Sequence, residues 1–594
     1  MAFMNPWTEE QIGFLRVKER MRAPTPYGVR YQRERTPFLR GQEEQWQSDR
    51  EDLTQFSDVF SQACGDQSTF GRMVRAALAA LPDIQTVAQL LQKREALRTE
   101  QCANLKRFAA IGLRIDRLLA DVSARRPWWN AAVLVQVHAR LSGENRMTTA
   151  DCSDEETIRR SFNDSFSLHD VADDAVKDLY AALQGVRIRR SSAENGFTRA
   201  LCAEHRVPVR RDHTLIVSVD DPLAAQRASS DPRLQFLQRT AFEVVLEPVW
   251  PEEVRQLRGD EDVLTEKLAI GEERTLQMVS AMLYPYADAL AVCAQAIGRL
   301  DDVCARVSVA CDEGWVWSQL SSGGAAVLAG VYQPSRRQGW TPCTVTLDRA
   351  VSVLTGPNMG GKTATLKTVL LALACHQYGY PVPADSVSAP LFTALRYVGG
   401  DAQSLLSGLS SFGAEVVALQ EAISLDGAFL CLDEVGRNTS PAEGAALVTG
   451  LLETLLDTRR QMTVCATHFT IALPDQMVGY FRMQGVKRGF LAARHGPASA
   501  SEGIARLSEV MDFTIVPAQD GASPSEGLAV AQWLGLGEDV IERARRRLDR
   551  QQEGTLALPG SCTVPRRVRR GRARTTAQHT IPAEQAHFRD KGGE

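Results

Sequence analysis

The stretch VSVLTGPNMGGKTATLKT, residues 351–368, sets Gly356, Gly361, Lys362 and Thr363 at the spacing G-x-x-x-x-G-K-[ST]. Glycines in such a loop let backbone N–H groups close around phosphates, and the helix that follows adds the favourable end of its dipole. The loop Gly356–Thr363 also contains Pro357, Met359 and Gly360. Lys362 is positioned to reach the β- and γ-phosphates, and the Thr363 hydroxyl to ligate Mg²⁺. The chemistry these residues suit is the binding of a nucleoside triphosphate.

Two further groups suit cleavage of that triphosphate. In AFLCLDEVGRNTSPAEG, Asp433 and Glu434 end an apolar run. A carboxylate there can hold the metal through water, and its neighbour can polarise the attacking water, since phosphoryl transfer depends mainly on positioning and charge neutralisation. His468 closes a second apolar run, VCATH, and its place at a strand end suits a γ-phosphate sensor.

These residues need a sheet and helices to hold them. AVSVL before the loop, AFLCLDE and QMTVCATH read as buried strands separated by apolar helical segments, the pattern of a mainly parallel α/β sheet from about residue 320. The chain before it is different. Residues 50–145 repeat apolar positions at helical spacing, with Pro82 as punctuation. VPVRRDHTLIVSVDD, residues 207–221, suits a strand. Residues 251–310 return to helix, either one long helix or two joined near Gly271. The organisation expected is an Arg-rich segment over 1–50, a mainly α-helical region over 51–319, an α/β domain over 320–550 and a basic, disordered tail over 551–594.

Bulk properties narrow the class. The 594 residues suggest roughly three to five domains. A net charge of −4 leaves nucleic-acid binding to local patches, such as PRRVRRGRAR at residues 565–574. Twelve cysteines without a C-x-x-C pair argue against a disulfide framework or a zinc knuckle. No apolar run is long enough for a bilayer, and MAFMNPWTEEQIGF lacks the apolar core of a secretory signal. A cytoplasmic protein without a membrane partner is expected.

TGPNMGGKT, DEVGRNTSPAEG and ATHF, in that order, resemble the ATPase domain of the MutS family, within the ABC-type P-loop ATPases. LLSGLSSFGAEV, residues 405–416, resembles the family's signature loop, and residues 521–548 its closing helical dimerisation segment. The earlier residues resemble only the helical core and lever in general terms. The resemblance implies an ATP hydrolase that works as a dimer with two composite sites, using ATP and Mg²⁺. Asn358 then joins the phosphate cradle, and Ser410 contacts the γ-phosphate held by the partner. Asp433 serves Mg²⁺, Glu434 the catalytic water, and His468 the switch.

Departures from the family pattern shape the function expected. No Phe is followed two residues later by Glu, the motif that mismatch readers wedge into a duplex. The chain looks closer to the second bacterial MutS branch, without its terminal Smr nuclease domain, and Leu409 stands where mismatch-repair members carry Arg. One reading is an ATP-gated dimer that moves helical arms on distorted or branched DNA. The other, from similarity to short MutS-like subunits, is a reactivation chaperone for a cobalamin- and pyridoxal-dependent aminomutase of lysine or ornithine type.

Overall fold

The computed structural model describes residues 2–62, 69–120, 131–142, 166–336, 340–357, 360–399, 411–474, 476–487, 511–521 and 527–556. The chain divides into two compact units, residues 1–487 with 508–525, and residues 488–507 with 526–594.

The first unit opens with short helices whose ends are written in the sequence. Helix α1 (Pro6–Ile12) starts where the Asn5 side chain accepts from Thr8 N–H, and stops at Gly13, φ 75°. Helices α2 (Phe14–Arg20) and α3 (Pro26–Glu34) follow, the latter capped by Thr25 with Pro26 in its first turn. Helices α4 (Glu43–Gln62), α5 (Thr69–Ala79), α6 (Gln85–Gln92), α7 (Thr99–Ala120) and α8 (Ala131–Leu141) then build a bundle. After a short α9 (Leu168–Val171) come two long helices, α10 (Asp174–His205) and α12 (Glu252–Leu283), joined through a tip. The tip is helix α11 (Pro222–Ser229) with an antiparallel sheet of β1 (Leu215–Ser218), β3 (Glu243–Pro248) and β2 (Leu234–Arg239), in that order.

Contacts Tyr180–Glu272, Arg187–Glu261 and Arg258–Glu194 run in opposite directions along α10 and α12, so the two lie antiparallel as an arm. At 32 residues each, they span about 48 Å. The helical stretch expected over 251–310 breaks at Pro285, not near Gly271. Pro285 lacks the N–H that a continuous helix needs, and Tyr284–Tyr286 form a 3₁₀ turn before α13 (Ala287–Glu313). Gly271 stays inside α12, where a Cβ would meet Val176 at 2.9 Å.

Helix α13 is the spine of the bundle. Leu290, Ile297, Leu300, Val303 and Val307 are fully buried on it. Its crossing with α3 is close because both sides carry glycine. A Cβ on Gly298 would lie 2.8 Å from the Tyr27 carbonyl oxygen, and one on Gly28 would lie 2.2 Å from Asp301 Oδ2.

The α/β region follows. Strands β4 (Gln319–Leu320), β5 (Ala326–Val331) and β6 (Cys343–Leu347) join β8 (Ser386–Ala389) in a four-stranded sheet of order β4-β8-β5-β6. The larger sheet has the order β13-β12-β7-β11-β10-β9, from β7 (Val351–Thr355), β9 (Leu395–Val398), β10 (Phe429–Asp433), β11 (Met462–Ala466), β12 (Val478–Val486) and β13 (Met511–Pro517). All neighbours in it are parallel except β13 on β12. Alternation along β10 separates two cores. Phe429 and Cys431 pack with helix α14 (Lys362–Gln377), while Leu430 and Leu432 pack on the face that includes helix α16 (Pro441–Thr458), with helix α15 (Ser411–Ile423) contributing Leu419 and Ala422.

In the second unit, α17 (Gly527–Trp533) and α18 (Glu538–Leu556) bury Trp533 and Ile541, and Arg545 donates to Gln532 at 2.7 Å. The basic stretch 565–574 lies outside the described residues.

Candidate nucleotide-binding site

Strand β7 is buried along its whole length and delivers the glycine loop to the start of α14. Gly361 sits at φ 90°, a left-handed conformation that suits glycine, and a Cβ there would press on Phe513 at 3.1 Å. It caps α14 without a side-chain bond, which leaves first-turn N–H groups to face an anion. Pro357 and Gly360 line the same cavity. Asn358 and Met359 lie outside the described residues.

Lys362 is almost fully buried. Its Nζ donates to the carbonyls of Gly356 at 2.9 Å and Pro357 at 3.2 Å, and lies 3.3 Å from Glu434 Oε1. The ammonium is thus held at the loop's throat by the loop's own oxygens. Thr363, next on the helix, is exposed and lines the cavity.

Asp433 ends β10 as expected, buried, with Oδ2 accepting from the Tyr397 hydroxyl at 2.6 Å. Its Oδ1 is buried with no hydrogen-bond partner among the described residues. The orphaned carboxylate oxygen and the Thr363 hydroxyl are both hard oxygen donors of the kind that Mg²⁺ takes. Burial and the neighbouring Asp433 charge both push the Tyr397 phenol well above its ordinary range, so it stays a donor. Glu434 occupies φ 51°, unusual for a residue with a side chain, and its N–H donates to the Ala466 carbonyl at 2.9 Å. That backbone bend turns its carboxylate into the cavity.

The loop after Glu434 is held from α15. Glu415 accepts from Gly436 N–H at 2.6 Å and from the Asn438 amide at 3.2 Å. Ser410, just before α15, lies outside the described residues. His468 is exposed beyond the end of β11, its ring 4.2 Å from that of Phe469, and is not among the residues lining the cavity. The structure therefore brings Gly360, Gly361, Lys362, Thr363 and Glu434 together around one cavity of about 700 Å³ and leaves His468 at its own strand end.

Sequence reasoning missed Tyr397 and Lys367, and it missed the N-terminal wall of the cavity, where Glu10, Gln11 and Arg16 face α14. Tyr397 has a faint local signal, a polar-tipped aromatic within a short strand. The N-terminal residues have none, because more than three hundred residues separate Arg16 from Lys362.

The far end of α14 is also gripped. The Arg306 guanidinium, fully buried, reaches Asp49 at 2.7 Å, Asp302 at 3.0 Å and the Gly379 carbonyl at 3.0 Å. Arg35 bonds Asp49, Asp302 and the Tyr378 carbonyl, each within 3.0 Å. Burial opposes ionisation of Asp49, but Arg306 and Arg35 outweigh it and hold the carboxyl at about 2. Two cations beside the last carbonyls of α14 also oppose its dipole favourably.

Residues 352–552 match the family model described as MutS domain V. A protein named DNA mismatch repair protein MutS from one strain of Thermus thermophilus is 32% identical over 276 residues, which is 46% of this chain and 32% of the relative. Its namesake in a second strain of that organism is 32% identical over 276 residues, 31% of its length, and that of Thermus caldophilus is 31% identical over 275 residues. The chain spans about a third of the length of these curated relatives. The matched stretch includes the glycine loop, Asp433, Glu434 and His468, so over residues 352–552 the chain is similar to domain V of the MutS family.

Proposed function

We propose that the chain is an ABC-type ATPase that couples ATP binding and hydrolysis to movement of its helical arm on DNA. The observation that carries the ATPase reading is the cavity in which the glycine loop, Lys362, Thr363 and Glu434 meet, with Asp433 beside it. Its volume of about 700 Å³ suits a nucleotide. Lys362 neutralises phosphate charge when its ammonium exchanges loop carbonyls for phosphate oxygens. Thr363 and Asp433 hold Mg²⁺, which supplies charge stabilisation on the transferring phosphoryl group. Glu434 orients the attacking water and accepts its proton, His468 senses the γ-phosphate, and Tyr397 fixes the Asp433 carboxylate. Asn358 completes the cradle, and Ser410 of a second copy completes the site in a dimer.

The arm supports the DNA reading. Its tip exposes Arg206, Arg211 and Arg239, whose guanidinium groups have no ion pair among the described residues, suited to neutralising phosphates. The relatives are named as DNA mismatch repair proteins, which favours DNA over an aminomutase as the object moved. No helix among the described residues is long and apolar enough to cross a membrane. The test is ATP turnover by the purified chain with and without branched duplex. Turnover should rise with branched DNA, and the rise should shrink steeply as salt increases. Hydrolysis indifferent to DNA at every salt concentration would remove the DNA reading while keeping the ATPase one.

A further inference from the structure

The N-terminal helices form one wall of the nucleotide cavity. Helix α1 lies against the edge strand β9. The Phe3 carbonyl accepts from Leu395 N–H at 2.9 Å, and Thr8 Oγ1 accepts from Tyr397 N–H at 3.2 Å. Gln11 Oε1 accepts from Lys367 Nζ at 2.7 Å, and that ammonium also lies 5.1 Å from the Tyr397 ring centroid. The turn between α1 and α2, Ile12 and Gly13, lines the cavity together with Glu434, and the strand β9 on which α1 rests carries Tyr397, whose hydroxyl donates to Asp433.

Helix α2 then presents Arg16 from a rigid base. Phe14 and Val17 of this helix are buried, and the Phe14 ring packs 4.9 Å from that of Tyr378. Arg16 itself is exposed and lines the cavity. The other cations lining it are committed, Lys362 to loop carbonyls and Glu434, and Lys367 to Gln11. The Arg16 guanidinium has no hydrogen bond or ion pair among the described residues, although Glu10 and Glu434 share the cavity. An uncommitted guanidinium on a fixed backbone, lining the same cavity as the glycine loop and Glu434, is suited to bidentate contact with phosphate oxygens.

We propose that Arg16 binds the terminal phosphate of the nucleotide from within the same chain, so that the N-terminal segment distinguishes ATP from ADP. This rests on the reading of the cavity as an ATP site. The full-length chain and its variants Arg16→Ala, Arg16→Lys and Glu19→Ala are titrated with MgATP and with MgADP by calorimetry. Glu19 is exposed on the same helix and does not line the cavity. Loss of a charge-assisted contact should weaken ATP binding by about tenfold or more in Arg16→Ala and leave ADP within about twofold. Arg16→Lys should recover part of the loss, and Glu19→Ala should match the parent chain. ATP affinity unchanged in Arg16→Ala would overturn the proposal. So would equal losses for ATP and ADP, or an equal loss in Glu19→Ala, because each marks a structural role. A parent chain that binds neither nucleotide would overturn the ATP-site reading and this inference with it.

Discussion

Helix α14 buries thirteen of its sixteen residues, whereas α12, thirty-two residues long, buries six. The first starts at the glycine loop, runs between two sheets and ends under Arg35 and Arg306. The second pairs with α10 over a thin core of Ala172, Val176, Leu183 and Leu268, supplemented by ion pairs at the surface. Apolar burial and buried charge make the one hard to displace; exposed pairs cost little to rearrange. On the proposed reading both properties are needed: the phosphate-loop end would transmit small displacements through a packed element, and the arm would move without unfolding.

Glu434→Gln should retain ATP binding and lower turnover by about 10²–10⁴-fold, while Lys362→Ala should abolish binding. Equal loss of binding in both variants would remove the separate roles given to the two residues. Next in size is Arg306→Ala, which leaves two interior carboxylates to Arg35 alone and should lower stability by about 3–5 kcal/mol in urea unfolding. A loss under about 1 kcal/mol would mean that the grip on α14 is loose.

A pH series sharpens the same point. Burial holds the His376 imidazole down at about 3, from an ordinary value of 6.5. Between those values the unfolded chain takes up a proton that the folded chain refuses. This residue's contribution to stability therefore declines as pH falls from about 6.5 toward about 3. Against the parent chain, His376→Gln should show a slope shallower by about 1 kcal/mol per pH unit over that window. Asp301, raised to about 6 mainly by burial, acts in the opposite direction but is common to both proteins and cancels in the difference. Identical slopes would contradict the burial of that imidazole. The smallest effect belongs to the arm. Arg187→Ala removes a pair with Glu261 in which the arginine is half exposed, and should cost less than about 1 kcal/mol.

The glycine loop, Lys362, Thr363 and the Asp433–Glu434 pair were legible in the sequence because their chemistry is local. A phosphate loop needs glycine at fixed offsets, and a carboxylate at a strand end needs only the apolar strand before it. The break at Pro285 was also there to be read, since the missing N–H acts on its own turn, yet Gly271 was the more obvious punctuation in a stretch that otherwise repeats at helical spacing. Other assignments depended on which segments come to lie side by side. Tyr397 on Asp433, Gln11 on Lys367, and Arg35 and Arg306 on the end of α14 join positions far apart along the chain. No periodicity encodes such pairings, because they arise only once buried faces such as those of α1, α13 and α14 have packed. The local sequence sufficed to place the glycine loop at a strand-to-helix junction and the two carboxylates at a strand end. The tertiary structure decided which distant side chains orient that chemistry, because apolar burial selects neighbours by shape and not by order along the chain.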